Sequence, residues 1–194
     1  PFGLYIVADR MCGHQFGEVA SNAAIRSVAG YILQKFFPYL FGLKPTQPEE
    51  SLQDIMQSAV KQAQKAIQSE APSSGTTLTA ALVLGQQVTI AHVGDSRAYL
   101  IRGGRIRQLT DDHSLVAELV RRQEISPHAA REHLHRHVLT RALGVRRAVE
   151  ADLAELPLYP EQRSPRRPTA EQVLRLFALA QRHVLLRKAK IVEV

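Results

Sequence analysis

Thr76-Thr77-Leu78-Thr79-Ala80-Ala81-Leu82-Val83-Leu84-Gly85-Gln86-Gln87-Val88-Thr89-Ile90-Ala91-His92-Val93-Gly94-Asp95 holds two β-rich runs, Thr76 to Leu84 and Val88 to Val93, broken only by Gly85-Gln86. Two more runs follow, Arg97 to Ile101 and Arg105 to Leu109, with Gly103-Gly104 between them as a hairpin signal. Parallel strands need a crossover of a dozen residues or more, so connections this short dictate antiparallel pairing. Working outward, Gly3 to Ala8 is a short apolar run that reads as a buried strand. Ala20, Ala24, Val28, Ile32 and Phe36 keep helical spacing from Gly17 to about Phe37, where Pro38 is expected to end the helix. Pro45 to Pro48 reads as a linker, and Pro48 as the opening of a second helix. Its buried stripe is Leu52, Ile55, Met56, Ala59, Val60, Ala63 and Ile67. Pro72 to Gly75 is a loop.

Beyond the strands, helical character returns from Leu115 to about Arg122 and again after Ser126-Pro127, an N-cap followed by proline at the first helical position. Val149 to Leu156 predicts another strand, Thr169 to about Gln181 a helix, and Val184 to Val194 a final strand. Helices followed by a meander and more helices define an α+β class, with helices packed on a mostly antiparallel sheet. The 194 residues, 45% of them hydrophobic, suit a single domain over 1–194 with a sizeable core.

Composition narrows function further. Cys12 is the single cysteine, which excludes an intrachain disulfide and a cysteine-based zinc cluster. No apolar run reaches transmembrane length, and Pro1-Phe2 opens on a strand with no charged leader, so no membrane association and a cytoplasmic location are expected. The net charge of +7 is uneven: Leu156 to Val194 supplies +5 of it. That end carries only Tyr159 and Phe177 as aromatics, so a solvated basic face is preferred over a nucleic-acid surface. His133, His135 and His137 alternate, as three imidazoles on one strand face would, but no carboxylate or cysteine sits at useful spacing. Surface histidines near a loop are the simpler reading. Position 18 is Glu18, so Cys12 lacks the arginine that a cysteine phosphatase requires six residues on.

The chemistry-bearing residues are carboxylates at strand ends. Asp9 directly follows the first strand, and Asp95 sits in the tight turn Val93-Gly94-Asp95-Ser96-Arg97. Acids on rigid strand ends beside glycine-rich turns suit Mg²⁺ or Mn²⁺, although a turn aspartate that caps its own backbone fits the same pattern. Asp111 and Asp112 read as the N-terminal cap of the next helix.

The order of these motifs resembles the metal-dependent type 2C (PPM) Ser/Thr protein phosphatases. The matching segments are Gly3 to Asp9 with Met11, Gly13-His14 and Gly17 to Ser21, then Gly75-Thr76-Thr77, His92 to Tyr99, Leu109 to Ser114, and Val138 to Gly144. Together they cover about residues 3–158. The resemblance implies an antiparallel β-sandwich flanked by helices, phosphoprotein partners, and two Mg²⁺ or Mn²⁺ ions bridged by a water that attacks a phosphomonoester. It places Asp9 at the bridging aspartate, Arg10 where the family's usual glycine offers a backbone carbonyl to one metal, and Asp95 at a third, looser metal.

The departures are equally specific. Elements expected before the first motif, and the late S-D-G and D-N motifs, are absent from this sequence. None of its six aspartates, Asp9, Asp54, Asp95, Asp111, Asp112 and Asp152, precedes Gly or Asn. The expectation is therefore a PPM-like sandwich incomplete at both ends, with free strand edges that favour a homodimer. It is expected to bind at most one weak divalent ion near Asp9 and Asp95 and to be catalytically impaired, a pseudophosphatase. The alternatives are an active phosphatase whose terminal motifs lie outside this sequence, or a non-catalytic phosphoprotein-binding or regulatory module. Arg10 is expected either to pair with Asp9, repelling a cation, or to point into solvent and offer only its carbonyl.

Overall fold

The computed structural model describes residues 2–11, 16–44, 48–102 and 105–157. In chain order its elements are β1 (Phe2–Val7), α1 (Gly17–Leu40), α2 (Leu52–Glu70), β2 (Leu78–Leu84), β3 (Gln87–Val93), β4 (Tyr99–Arg102), β5 (Arg105–Gln108), α3 (Leu115–Arg121), α4 (Pro127–Glu132) and β6 (Asp152–Pro157). The four-stranded sheet runs β1-β2-β3-β6, and β4 pairs with β5 in a second sheet. Every pairing is antiparallel, as the short glycine turns require.

An antiparallel strand with one wet face alternates apolar and polar side chains, yet β2 is apolar almost throughout. The layers explain this. Leu78, Ala80 and Leu82 face the helices, alongside Leu4, Ile6, Ala91 and Val93 from the neighbouring strands. Ala81 and Val83 face the other way, against Val88, Ile90 and Leu156 of the same sheet, Leu100 of the second and Ala98 just before it. Both faces are therefore covered, giving a β-sandwich with α1 and α2 on one side.

The two long helices pack on one another through the stripes their spacing predicts. Ala20, Ala24, Val28, Ile32 and Phe36 of α1 share one core with Ile55, Met56, Ala59, Val60, Ala63 and Ile67 of α2. Phe36 also meets Phe2 of β1, ring centroids 5.6 Å apart, which anchors α1 over the sheet. Each such large side chain contributes roughly 1.5–3 kcal/mol through burial.

Several boundaries differ from expectation. Pro38 lies inside α1 rather than ending it. Proline forfeits one backbone donor, but its carbonyl still accepts from Leu43 and Lys44, and the turn closes two residues later. α2 opens at Leu52 rather than Pro48, because the Ser51 hydroxyl caps it by accepting the Asp54 N–H at 3.1 Å. Thr76 and Thr77 precede β2, and Thr76 forms isolated bridges to Arg10 and Leu143. Arg97 and Ala98 precede β4, and β6 begins at Asp152 rather than Val149. Ser126 and Pro127 open α4 as predicted. The 169–181 helix, the 184–194 strand, the Gly103-Gly104 turn, Cys12 and His14 lie outside the described residues. Among the described residues, no helix is long and apolar enough to cross a membrane.

Candidate metal centre

Asp9 and Asp95 belong to segments far apart in sequence, and Thr77 ties those segments together. The Thr77 Oγ1 accepts the Asp9 N–H at 3.0 Å and lies 2.8 Å from the Ser96 hydroxyl, next to Asp95. The Asp9 carbonyl accepts from the Thr77 N–H and the Thr76 hydroxyl, both at 2.9 Å. One buried threonine thus joins the end of β1 to the turn after β3. Gly94 permits the close approach: its φ is +115°, and a Cβ there would lie 2.6 Å from the Thr77 side chain.

Arg10 is exposed, with its Cβ and Cγ lying along Gly17 at the start of α1. Its bridge to Thr76 is made by the flanking bonds, Thr77 N–H to Asp9 carbonyl and Met11 N–H to Gly75 carbonyl. In such a wide pair the bridging residue's own carbonyl turns away from the partner and is left for other donors. Asp9 and Asp95 carboxylates and the Arg10 carbonyl are all oxygen donors, the kind that suits a hard dication such as Mg²⁺ or Mn²⁺. Among the described residues, no group of three or more His, Cys, Asp or Glu side chains gathers into a metal cluster.

Asp112 does not cap α3; Ser114 does, its hydroxyl accepting the Ala117 N–H. Asp112 is buried and receives a bidentate pair from Arg97, Nε to Oδ1 and Nη2 to Oδ2, both at 2.7 Å. That pair clamps 110–114 onto the turn that carries Asp95. His133, His135 and His137 follow α4 on exposed turns, with the His135 N–H on the His133 Nδ1, so they do not line a strand face.

Sequence reasoning missed a network beside this turn, two buried histidines tied to the more exposed Asp152 and Arg141. His92 pairs in register with Asp152, and the His92 and His113 rings meet at a tilt of 42° with centroids 4.8 Å apart. Nδ1 of His113 accepts the Gly94 N–H at 3.0 Å, so its Nε2 carries the proton and donates to Asp152 Oδ2 at 2.9 Å. Arg141 holds the other oxygen of Asp152 at 2.6 Å. Nε2 of His92 faces the Asp111 carbonyl at 3.1 Å and must donate to it, leaving Nδ1 to accept the Thr79 hydroxyl at 2.9 Å. Burial, reinforced by the His113 imidazole, pushes His92 down to about 4. Burial also lowers His113, outweighing its bond to Asp152. Burial works against the charge of Asp152, but the bonds from His113 and Arg141 overcome it and hold the carboxyl below its usual value. The only available sequence signal was His92 itself, a polar residue within an apolar strand.

A helix-backed antiparallel sandwich with acidic turns gathered at one end of its sheet is the architecture of a metal-dependent Ser/Thr protein phosphatase. The chain belongs to the Protein phosphatase 2C family, which matches residues 2–150. Serine/threonine phosphatase stp of Listeria welshimeri is 40% identical over 154 residues, covering 79% of this chain and 60% of that protein. The crystal structure of Stp1 from Staphylococcus aureus aligns with TM-score 0.64 and 32% identity, covering 80% of this chain and 60% of the other. The catalytic domain of PstP in complex with two manganese ions aligns with TM-score 0.63 and 32% identity, covering 80% and 62%. The chain thus spans about three fifths of the length of these relatives.

Proposed function

We propose that this chain is a Protein phosphatase 2C-type domain over 1–194, directed at Ser/Thr phosphoproteins in the cytoplasm, that is catalytically impaired on its own. The observation that carries this reading is the Thr77 link, which joins the segments of Asp9 and Asp95 while the sequence offers no aspartate in an S-D-G or D-N setting. Asp9, the Arg10 carbonyl and Asp95 would hold one weakly bound Mn²⁺ or Mg²⁺, whose chemistry is to make a bound water more acidic. Two dications repel one another and need more anionic donors than this pair supplies. The reading also includes self-association through free strand edges, which light scattering would report as a dimer; a monomer at high concentration contradicts that part.

The purified chain, incubated with Mn²⁺ and p-nitrophenyl phosphate, is expected to show negligible turnover equal to that of Asp9→Asn. Mn²⁺-dependent turnover that vanishes in the variant overturns the impairment. A second reading, an active phosphatase completed by further sequence, is favoured by the chain covering about 60% of its relatives. An S-D-G or D-N segment in the coding sequence on either side would establish it. Its absence there leaves a non-catalytic, phosphoprotein-binding module.

A further inference from the structure

We propose that His113 is a positioning residue for the Asp95 turn, holding Gly94 by both its backbone N–H and its carbonyl so that the Asp95 carboxylate is presented to a divalent cation. The cation half of this statement rests on the reading of Asp95 given above; the clasp itself rests on geometry alone. The Gly94 N–H donates to His113 Nδ1 at 3.0 Å, and the Gly94 carbonyl accepts the His113 backbone N–H at 2.7 Å. Both backbone polar groups of Gly94, one in each peptide unit flanking its Cα, are therefore bound by one residue, immediately before Asp95. A glycine at φ +115° has no side chain to hold it, so the turn depends on such partners.

The imidazole is itself held from behind. Its Nε2–H goes to Asp152 at the start of β6, and Arg141 fixes Asp152 from the far side. With Nε2 committed as donor, the neutral ring keeps Nδ1 as an acceptor aimed at Gly94. The His113 side chain is 1% exposed, and the Gly94 N–H it accepts is buried with it, so that bond is shielded from water. The Arg97–Asp112 pair braces the same two segments one turn further on, but from the opposite side of Asp95. The chain of contacts β6, Asp152, His113, Gly94 thus sets where Asp95 points.

Two substitutions separate the two ring nitrogens. In His113→Asn the amide oxygen takes the place of Nδ1 and can still accept from Gly94. In His113→Gln the amide nitrogen reaches the position of Nε2 and can still donate to Asp152, but the Gly94 acceptor is gone. In ¹⁵N-labelled wild-type chain, a through-hydrogen-bond N–N coupling is expected between the Gly94 amide and His113 Nδ1. Its absence overturns the clasp without any variant having to fold. Gly94 amide exchange is expected to stay near wild type in His113→Asn and to speed up about tenfold or more in His113→Gln, the effect of one lost hydrogen bond. Titration with Mn²⁺, followed by paramagnetic broadening of the residue 95 amide, should need about ten times more metal in His113→Gln than in His113→Asn. Equal behaviour of the two variants in both measurements overturns the positioning role. If Asp95→Asn broadens as readily as wild type, Asp95 is not a cation ligand; the coupling and exchange results still decide the clasp.

Discussion

Gly94→Ala is expected to lower stability by about 4 kcal/mol, combining a φ that L-residues resist with overpacking of a buried contact. At φ +115° any side chain is strained, and here the new Cβ would meet Thr77 Cβ and Cγ2 at 2.6 Å and its Cα at 3.2 Å. Thr77 cannot swing aside, because its hydroxyl holds the Asp9 N–H and the Ser96 hydroxyl, and its own N–H is bound to the Asp9 carbonyl. Gly85 provides the control. Its φ is +59° with nothing within 4 Å of a Cβ, so Gly85→Ala should cost only about 1 kcal/mol. Urea unfolding of both variants, with unchanged m-values, checks the comparison. Similar midpoints for the two would mean that the Thr77 contact yields easily.

Acidification is expected to remove on the order of 3 kcal/mol through His92. In the unfolded chain this imidazole titrates near its ordinary 6.5; in the folded chain it is pushed down to about 4, by burial first and by His113 second. A histidine with a depressed folded value stays neutral in the core while the unfolded chain takes up a proton. Its contribution is therefore complete above pH 6.5, shrinks as pH falls, and is gone below about 4. His113 and Asp152, both lowered, act in the same direction. Urea midpoints measured from pH 7 to 3.5 should fall steeply, and the fall should be shallower in His92→Gln, where nothing at that position titrates. A flat wild-type profile between pH 6.5 and 4 contradicts the assignment.

Much of the fold was legible because it rests on local rules. Glycine-broken β runs at Gly85 and Gly103-Gly104 leave no room for a crossover, and the stripes of α1 and α2 state which faces they bury. Pro38 and Pro48 misled because proline constrains its own backbone and the residue before it, not the whole turn. A serine at position 51, whose hydroxyl can accept the Asp54 N–H, was the stronger start signal.

The candidate site divides along the same line. Asp9 and Asp95 were singled out from sequence because each follows a strand directly, and the structure ties their backbone segments together through Thr77. Asp112, read as a cap, went instead to Arg97, since a charged partner in a buried setting outcompetes a helix N-terminus already served by Ser114. The His92, His113, Asp152 and Arg141 network had no local signature beyond His92 itself, a polar residue in an apolar strand. Its members come from β3, the segment before α3, β6 and the loop leading to Gly144, and nothing in their spacing places them together. By itself the sequence determined antiparallel strands, helical faces and the family, because these follow from periodicity, turn length and the order of motifs. Only the tertiary structure decided which polar groups share a buried space, because hydrogen-bond partners there are chosen by the register of β3 on β6, not by neighbours along the chain.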